Sequence, residues 1–408
     1  MRTAKLKDIT LTITDGKHGD CKNHDGSGYY FISCKDVYDE TIHYENARQI
    51  TEDDFRDADR RTDLAAYDIL ITNSGTIGRM ALVKDIPETR KTTFQKSVAI
   101  VRADTSQVVP NYLYYLLKSK VHDFINSSNG SAQKNLLLST MRDFDISFVD
   151  SFETQHRIAS ILSRYDSLIE NYQKQIKLLE EAAQRLYKEW FVDLHFPGHE
   201  NAKIVDGVPE GWEKKTIDDV TCKVTTGLNP RKNFVLGKGS NYYVTIKNMA
   251  DNTLFLDDRC DRVDNEALEK INKRSDLKIG DILFSGIGTI GRVALVDIPT
   301  NNWNVSESVF TLRVNDIVTK EFLYLMLLSP DMQNYCQSNA HGAAQKGIRM
   351  ADLKAYSFNL PPFGVIQKFT NLVTPTIKKV SSIRNQIRLL TEARDRLLPR
   401  LMNGEIAV

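Results

Sequence analysis

The chain has 408 residues, of which 41% are hydrophobic and 26% are charged, and its formal net charge is +1. These values are ordinary for a folded globular protein of two or more domains, and they exclude a chain too polar to bury a core. No run of about 18 apolar residues is present, which excludes a membrane-spanning helix of the usual length. If the chain binds nucleic acid, its low net charge means that the cations must be concentrated locally.

The chain carries one sequence pattern twice. Residues 63–83 read DLAAYDILITNSGTIGRMALV, and residues 276–296 read DLKIGDILFSGIGTIGRVALV. Asp68 therefore corresponds to Asp281. A repeat of this length makes each half a complete domain rather than one unit of a solenoid. Two similar domains on one chain predict two similar binding events.

Further matching segments follow the same order in both halves. They are LKDITLTITDG (6–16) with TIDDVTCKVTTG (216–227), YFISCKDV (30–37) with YYVTIKNM (242–249), NYLYYLLKS (111–119) with EFLYLMLLS (321–329), and NGSAQKNL (129–136) with HGAAQKGI (341–348). Shared order over so many segments indicates internal duplication.

The repeated segments predict mixed secondary structure. The apolar runs on either side of the glycines in 68–83 and 281–296 predict β-hairpins, and 93–103 and 307–315 predict further strands. The aromatic and leucine-rich segments 111–125 and 321–336 predict short helices. The predicted fold class is therefore α+β, with two duplicated globular domains and two long antiparallel coiled-coil helices.

Each half ends in a long predicted helix with apolar residues at alternating steps of four and three. This heptad pattern is typical of a coiled coil, and at 1.5 Å per residue the first helix would be about 50 Å long. Each helix is the obvious partner for the other, and the pair is antiparallel if the chain reverses between them. The predicted seam contains Ile158, Leu162, Ile169, Ile176, Leu179, Leu186, Val380, Ile383, Ile387, Leu390, Leu397 and Leu401.

The second helix departs from the ideal pattern. Thr376 and Arg394 are polar residues at seam positions, and Pro375 is expected to kink this helix or cap its start. The alternative to a coiled coil is that each helix lies on its own domain. The predicted boundaries are a first domain over 1–151, a central helix over 152–196, a second domain over 197–361 and a distal helix over 362–408.

Two catalytic signatures are better explained by structure. Gly286, Gly288 and Gly291 form GxGxxG, but the strand-like RVALVDIP follows, so no helix N-terminus is available for a pyrophosphate. A tight glycine turn explains the motif. NLPPF (359–363) is similar to the catalytic loop of amino-methyltransferases, but Leu360 stands where that loop needs a polar residue. Its prolines are expected to end a strand and precede a helix.

The cysteines and histidines give no recognised metal pattern. His18, Cys21, His24 and Cys34 offer four ligand types, but their spacing matches no common zinc site and the second half has no equivalent. A surface loop is the simpler interpretation. The five cysteines of the chain are scattered and odd in number, which is typical of reduced thiols in the cytosol.

Several duplicated motifs carry a resemblance to a known family. They are VPEGWEKKTIDDV (208–220), GTIGR (75–79 and 288–292), GSAQKN (130–135) with GAAQKG (342–347), and the helix starts SFETQHRIASIL (151–162) and LPPFGVIQ (360–367). In this order the chain resembles the specificity subunit of type I restriction–modification systems over essentially its whole length. It departs from that pattern in lacking a VPxGW lead-in before the first domain, and in having Ala343 where the first copy has Ser131.

The resemblance implies a DNA-reading subunit. Each domain would read one half of an asymmetric, interrupted target in double-stranded DNA, while the helix pair sets the gap and docks methyltransferase subunits, of which two are expected. Restriction–translocase subunits would complete the complex. The chain itself would be non-catalytic, with no cofactor and no metal. S-adenosylmethionine, Mg²⁺ and ATP would act in the partner subunits, and the complex would be cytoplasmic in a prokaryote.

The candidate DNA-contacting residues lie in loops. Base edges carry the sequence information and cations position the backbone, and loops 15–28 and 226–241 differ in sequence within a shared frame. The candidates in the first half are Lys17, His18, Lys22, Asn23, Lys35, Arg79, Gln133 and Lys134. Those in the second half are Asn229, Arg231, Lys232, Asn233, Lys238, Lys247, Arg292, Gln345 and Lys346. The alternative for each is a solvated side chain, or one that stabilises its own turn.

Other functions stay open at the level of sequence. One is a specificity subunit of a related methylase or nuclease system of another type, or an enzyme in its own right. Another is a coiled-coil adaptor whose duplicated domains bind two proteins rather than DNA. Sequence-specific DNA binding separates the adaptor from the readers.

Overall fold

The computed structural model describes residues 1–128, 135–250, 252–342 and 346–408. The chain divides into two compact units. Unit 1 consists of Met1–Glu170 together with Arg388–Val408, and unit 2 consists of Asn171–Ile387. Each unit contains strands, short helices and a part of both long helices.

Unit 1 is built around an antiparallel sheet. Its strands are β1 (Arg2–Lys5), β2 (Thr10–Asp15), β3 (Tyr30–Ile32), β4 (Val37–Tyr38), β5 (Thr41–Ile42), β6 (Ile69–Thr72), β7 (Met80–Leu82), β8 (Thr92–Phe94), β9 (Val98–Ala103) and β10 (Asp145–Phe148). Its helices are α1 (Glu52–Thr62), α2 (Pro110–Ser119), α3 (Val121–Asn126), α4 (Leu138–Arg142) and the start of α5 (Phe152–Phe191). The main sheet has the order β2-β9-β6-β7, while β3 and β8 form a separate parallel pair.

Burial on both faces explains the strand sequences of unit 1. The run ILIT in β6 is buried throughout, as expected for a strand that is covered on both sides. Ile69 and Ile71 belong to one apolar cluster, which includes α2, and Leu70 belongs to another. The sheet therefore separates two cores.

Unit 2 repeats this architecture. Its strands are β11 (Ile204–Val205), β12 (Val208–Pro209), β13 (Glu213–Thr216), β14 (Thr221–Thr226), β15 (Asn241–Val244), β16 (Met249–Ala250), β17 (Thr253–Leu254), β18 (Asp261–Val263), β19 (Ile282–Ser285), β20 (Val293–Leu295), β21 (Trp303–Val305), β22 (Val309–Val314) and β23 (Ser357–Leu360). Its helices are α6 (Asn265–Ser275), α7 (Lys320–Leu327), α8 (Pro330–Ser338), α9 (Met350–Ala355) and the start of α10 (Phe363–Met402). The sheet order β14-β22-β19-β20 matches that of unit 1.

A duplicated ion pair supports the correspondence. In unit 1, the guanidinium of Arg102 donates to both carboxylate oxygens of Asp68, at 2.8 and 2.7 Å. In unit 2, Arg313 donates to both oxygens of Asp281, at 2.7 and 2.8 Å. Both carboxylates are buried, and such a buried charge needs a bidentate partner. The same ion pair in both copies supports internal duplication.

The two long helices run antiparallel within each unit. In unit 1, Ile158 and Leu162 of α5 share an apolar cluster with Leu398 and Leu401 of α10. The start of one helix thus lies against the end of the other. Unit 2 shows the reverse arrangement, in which the end of α5 packs with the start of α10. These pairings confirm the predicted fold class, including the antiparallel helix pair.

Burial along the predicted seam varies. The buried members are Ile158, Leu162, Val380, Ile383 and Leu401. The half-buried members are Ile169, Ile176, Leu179, Leu186, Ile387, Leu390 and Leu397.

Pro375 does not cap the start of the second long helix, contrary to one of the two expectations for it. Helix α10 begins at Phe363 and is continuous through Pro375. Because proline has no backbone N–H, residue 375 cannot donate the helical hydrogen bond to the carbonyl of Asn371. Both residues are exposed, so water can hydrate that carbonyl, which lowers the cost of the missing hydrogen bond.

Glycine at position 78 is required by the hairpin between β6 and β7. Its φ is +88°, and an added Cβ would lie 2.7 Å from Cγ1 of Val121. We expect Gly78→Ala to lower the free energy of unfolding by about 2 kcal/mol, because left-handed strain and a clash combine. Gly404→Ala is the matched control, since Gly404 also has positive φ but open space around it. Equal losses for both variants, measured by hydrogen exchange of the amides of unit 1, would contradict a role for packing.

Candidate nucleic-acid interface

In each unit, one end of the main sheet gathers the predicted DNA-contacting loops. In unit 1, the end of β2 and the start of β9 are paired through Asp15 and Ala99, and Thr72 at the end of β6 faces Val98. The loops that continue from these strand ends must therefore lie at the same edge. We call residues 16–29, 33–36, 73–79 and 95–97 the first rim. The corresponding residues of unit 2, namely 227–240, 245–248, 286–292 and 306–308, form the second rim.

The glycine turn has the same internal hydrogen bonds in both rims. The backbone N–H of Arg79 donates to Thr72 Oγ1 at 3.0 Å, and that hydroxyl donates to the carbonyl of Thr76. In unit 2, the N–H of Arg292 donates to Ser285 Oγ at 2.8 Å, and that hydroxyl donates to the carbonyl of Thr289 at 2.6 Å. The glycine motif is thus a hairpin turn that leads into strand β20.

Some candidates of the first half are exposed and unbonded. Lys22, Lys35 and Arg79 are exposed, and their side chains make no hydrogen bond or ion pair to a residue within the described parts of the chain. They are available to a ligand.

Other candidates of the first half already have partners. Lys17 Nζ lies 2.9 Å from Asp57 Oδ2, and this hydrogen bond raises the pKa of Lys17. His18 Nε2 lies 3.0 Å from Asp15 Oδ2. The Asn23 side chain accepts from Arg48. These contacts shape the loop itself.

In the second half, too, some candidates are exposed without a partner and others are already hydrogen-bonded. Arg231, Lys232 and Lys238 are exposed in the loop between β14 and β15, and they make no side-chain hydrogen bond or ion pair to any described residue. In the same loop, Asn229 Nδ2 donates to Glu307 at 2.7 Å, and Asn233 Nδ2 donates to the carbonyl of Asn229 at 2.7 Å. The exposed cations of this loop are therefore carried on a segment that is internally bonded.

The remaining candidates lie around the glycine turn of unit 2. Lys247 Nζ is 3.0 Å from Asp261 Oδ2. The Arg292 guanidinium turns inward and donates to the carbonyls of Ile246, at 2.9 Å, and Met249. Lys346 is exposed, and its carbonyl accepts from the N–H of Gly288 at 2.8 Å.

Gln133, Lys134 and Gln345 lie outside the described residues. In the part of the chain that is described, no group of three or more His, Cys, Asp or Glu side chains is placed to hold a metal ion. Over the same residues, no helix is long and apolar enough to cross a membrane.

A buried charged cluster in unit 1 was not foreseen from sequence. Arg394 of α10 is only 7% exposed, and its Nη1 lies 2.6 Å from Asp166 of α5 and 2.8 Å from Glu40 of the first domain. The hydroxyl of Tyr115 also donates to Asp166. Burial lowers the pKa of Arg394, but the charges of Glu40 and Asp166 outweigh it and the net pKa is raised. The polar seam position thus joins the domain to both helices within unit 1.

The corresponding site in unit 2 is aromatic. There Ala183, which corresponds to Arg394 in the alignment of the two copies, is buried in the apolar cluster of unit 2. The ring of Phe369 lies 5.7 Å from that of Trp190 and 4.8 Å from that of Phe191. On the two long helices of this unit, Arg384 Nη2 lies 2.6 Å from Glu180 Oε1. The two helix–domain junctions are therefore chemically different, although the domains are duplicated.

Comparison with known proteins gives a family for both halves. The family model described as "Type I restriction modification DNA specificity domain" matches residues 3–181 and again residues 209–387. The MjaIX type I restriction enzyme specificity subunit of Methanocaldococcus jannaschii is 29% identical over 396 residues, which cover 95% of this chain and 89% of that protein. The HindI specificity subunit of Haemophilus influenzae is 25% identical over 374 residues, covering 75% of this chain and 80% of its own.

A solved structure has the same fold. The crystal structure of a type I restriction–modification system S subunit from M. genitalium aligns with a TM-score of 0.57 and 17% identity. The alignment covers 98% of this chain and 96% of that one. At this identity the likeness concerns the fold alone.

Proposed function

Because this chain belongs to the family of type I restriction–modification DNA specificity subunits, we propose that it is the DNA sequence-reading subunit of such a complex. The observation that carries this proposal is the double match of the specificity-domain family, once in each half of the chain. Each copy presents a rim of loops at one end of its sheet. The two domains would each read one half of a bipartite, asymmetric target in double-stranded DNA.

Different rims on one frame support the division into two half-sites. The sheet order is the same in both units, whereas loops 15–28 and 226–241 differ at most positions other than three shared glycines and a shared Lys-Asn pair. Base edges in the major groove present a different donor and acceptor pattern for each base pair. Two different sets of loop side chains would therefore select two different half-sites.

The helix pair would set the gap between the half-sites. Helices α5 and α10 have 40 residues each, which corresponds to about 60 Å at 1.5 Å per residue. Half-sites one DNA turn apart are about 34–36 Å apart. An antiparallel pair of this length would therefore be long enough to hold two reading domains more than one turn apart.

The methyltransferase subunits would dock on the same helices. Leu178, Leu372 and Leu389 are exposed to 65%, 55% and 50%, so a partner that lies along these helices would have apolar side chains to cover. Methylation, with S-adenosylmethionine, would then take place in these partners. Cleavage, with ATP and Mg²⁺, would take place in restriction–translocase subunits. The chain itself would be non-catalytic.

Sequencing of methylated DNA tests this function. Cells that carry the whole system should show one bipartite methylated motif that disappears when the gene for this chain is deleted. Replacing residues 1–151 with the first domain of a relative should then change only one half of the motif, because each domain reads separately. A motif that persists without the chain, or a replacement that alters both halves or neither, would contradict the proposal.

A further inference from the structure

Three exposed cations lie on neighbouring segments of the first rim. Cys34 N–H donates to Ser97 Oγ at 3.1 Å, and Asn73 N–H donates to the Ser97 carbonyl at 3.0 Å. Three segments are therefore tied together at Ser97. Each of them carries a cation, and the complete set is Lys35, Arg79 and Lys96.

These three cations are free to meet an anion. Lys35, Arg79 and Lys96 are all exposed, and their side chains form no hydrogen bond or ion pair with any residue in the described ranges. Nothing in unit 1 that the structure describes has to be displaced before an anion binds them. An exposed cation without a partner gains the full attraction of a phosphate, whereas a paired cation must first give up its partner.

None of the three corresponding positions in the second rim carries a cation without a partner. Strand β9 faces Thr72 through Val98, and β22 faces Ser285 through Val309, which places Lys96 opposite Glu307 in the alignment of the copies. Lys35 corresponds to Lys247, which is paired with Asp261 at 3.0 Å. Arg79 corresponds to Arg292, whose guanidinium donates inward to two backbone carbonyls.

The side chain of Glu307 is half-buried, and two hydrogen bonds hold its carboxylate in place. One carboxylate oxygen accepts from Asn229 Nδ2 at 2.7 Å, and the other accepts from the hydroxyl of Tyr243 at 3.1 Å. Burial, and then the charge of Glu307, raise the pKa of Tyr243, so this hydroxyl remains a donor. A fixed carboxylate at this position repels a phosphate where Lys96 attracts one.

The pair between Lys247 and Asp261 adds no compensating attraction. An exposed ion pair costs little to break, but Asp261 would remain beside the phosphate and cancel the charge of Lys247. Lys346, which lies outside the second rim, is exposed. Within this rim, the exposed cations that have no side-chain partner among the described residues lie on the long loop, at Arg231, Lys232 and Lys238.

We propose that the two domains hold the DNA backbone through different surfaces. The first domain binds phosphates at the glycine-turn edge of its rim, through Lys35, Arg79 and Lys96. The second domain leaves that edge uncharged overall and takes its phosphates on the loop that carries Arg231, Lys232 and Lys238. This inference rests on the proposed DNA-reading function and assigns its backbone contacts.

Salt dependence of DNA binding tests the inference. The complex purified through a tag on the full chain is titrated with a duplex of arbitrary sequence that is long enough for both domains, at several salt concentrations. Backbone contacts dominate such binding, and each phosphate contact contributes about 0.9 to the slope of log K against log salt. Lys35→Gln and Lys96→Gln should each lower the slope by about 0.9, and the triple variant with Arg79→Gln by about 2.7.

Matched variants of the second copy give the contrast. Lys247→Gln makes the same chemical change as Lys35→Gln, and Glu307→Gln keeps the size and hydrogen-bonding reach of the side chain. Neither should lower the slope, while the triple variant of the first rim should lose on the order of 10²-fold in affinity near 0.1 M salt. Equal slopes for Lys35→Gln and Lys247→Gln, or a wild-type slope in the triple variant, would overturn this inference. Neither result would contradict the proposed DNA-reading function. Wild-type complex without salt-dependent binding would instead contradict the proposed function.

Discussion

Replacing Arg394 by alanine is expected to free the C-terminal part of α10 from unit 1. Arg394 is nearly buried between Asp166 and Glu40, at 2.6 and 2.8 Å. Removing one partner of a buried ion pair leaves charges without compensation and costs about 3–5 kcal/mol. Because the two carboxylates are partly exposed, at 27% and 32%, and Glu40 keeps its ion pair with Lys118 at 2.6 Å, we expect the lower end, about 3 kcal/mol.

Hydrogen exchange measures this loss locally. A chain of two units need not unfold in one step, so a single denaturation midpoint would mix both units. Amides in the segment 388–402 report the opening of the helix from unit 1. A loss of about 3 kcal/mol should speed their exchange on the order of 10²-fold, while amides of 363–380 in unit 2 should keep their rates.

Arg388→Ala is the control on the same helix. Arg388 lies 2.6 Å from Glu392, and both side chains are exposed, at 58% and 46%. Such surface pairs contribute about 0–1 kcal/mol, so exchange in 388–402 should change little. Equal acceleration in both variants would show that Arg394 acts as an ordinary surface residue.

The fold follows largely from patterns that sequence makes visible. Duplicated strands, glycine turns and heptads are local signals, and each led to an element that is present in the structure. The turn at Gly78 shows why, since a positive φ and a packed Cα both demand glycine at that position. A heptad pattern likewise has to be buried somewhere, and the other long helix supplies the matching face.

The chemistry of the site is less visible because it depends on partners that are distant in sequence. In the sequence, Arg394 is only a polar residue at a heptad position, and the structure shows that Asp166 and Glu40 are its partners. Arg79 and Arg292 occupy the same motif, yet one is exposed and the other bonds to the carbonyls of Ile246 and Met249. No pattern within GTIGR distinguishes them. Whether a cation is free is decided by tertiary contacts.

Lengthening both helices by one heptad is expected to lengthen the gap in the DNA target while leaving both half-sites unchanged. A duplicate of 171–177 would be inserted into α5 after Lys177, and a duplicate of 381–387 into α10 after Ile387. The first insertion repeats Ile176 together with Tyr172, the apolar residue four positions before it, and the second repeats Ile383 and Ile387. Each insertion is one whole heptad, so the heptad phase is kept. Seven residues add about 10 Å to a helix, which corresponds to about three base pairs at 3.4 Å each.

Methylated-motif sequencing of cells that carry the lengthened chain reads the result directly. We expect the original motif to lose its methylation, and the same two half-sites to appear with a gap about three base pairs longer. The insertion into α5 alone is the control, because α10 then has no added turn to cover the extra seam residues, and methylation at either gap should fail. An unchanged gap in the doubly lengthened chain would show that the helices do not set the spacing. The distance would then have to come from the partner subunits, since the reading domains are untouched by either insertion.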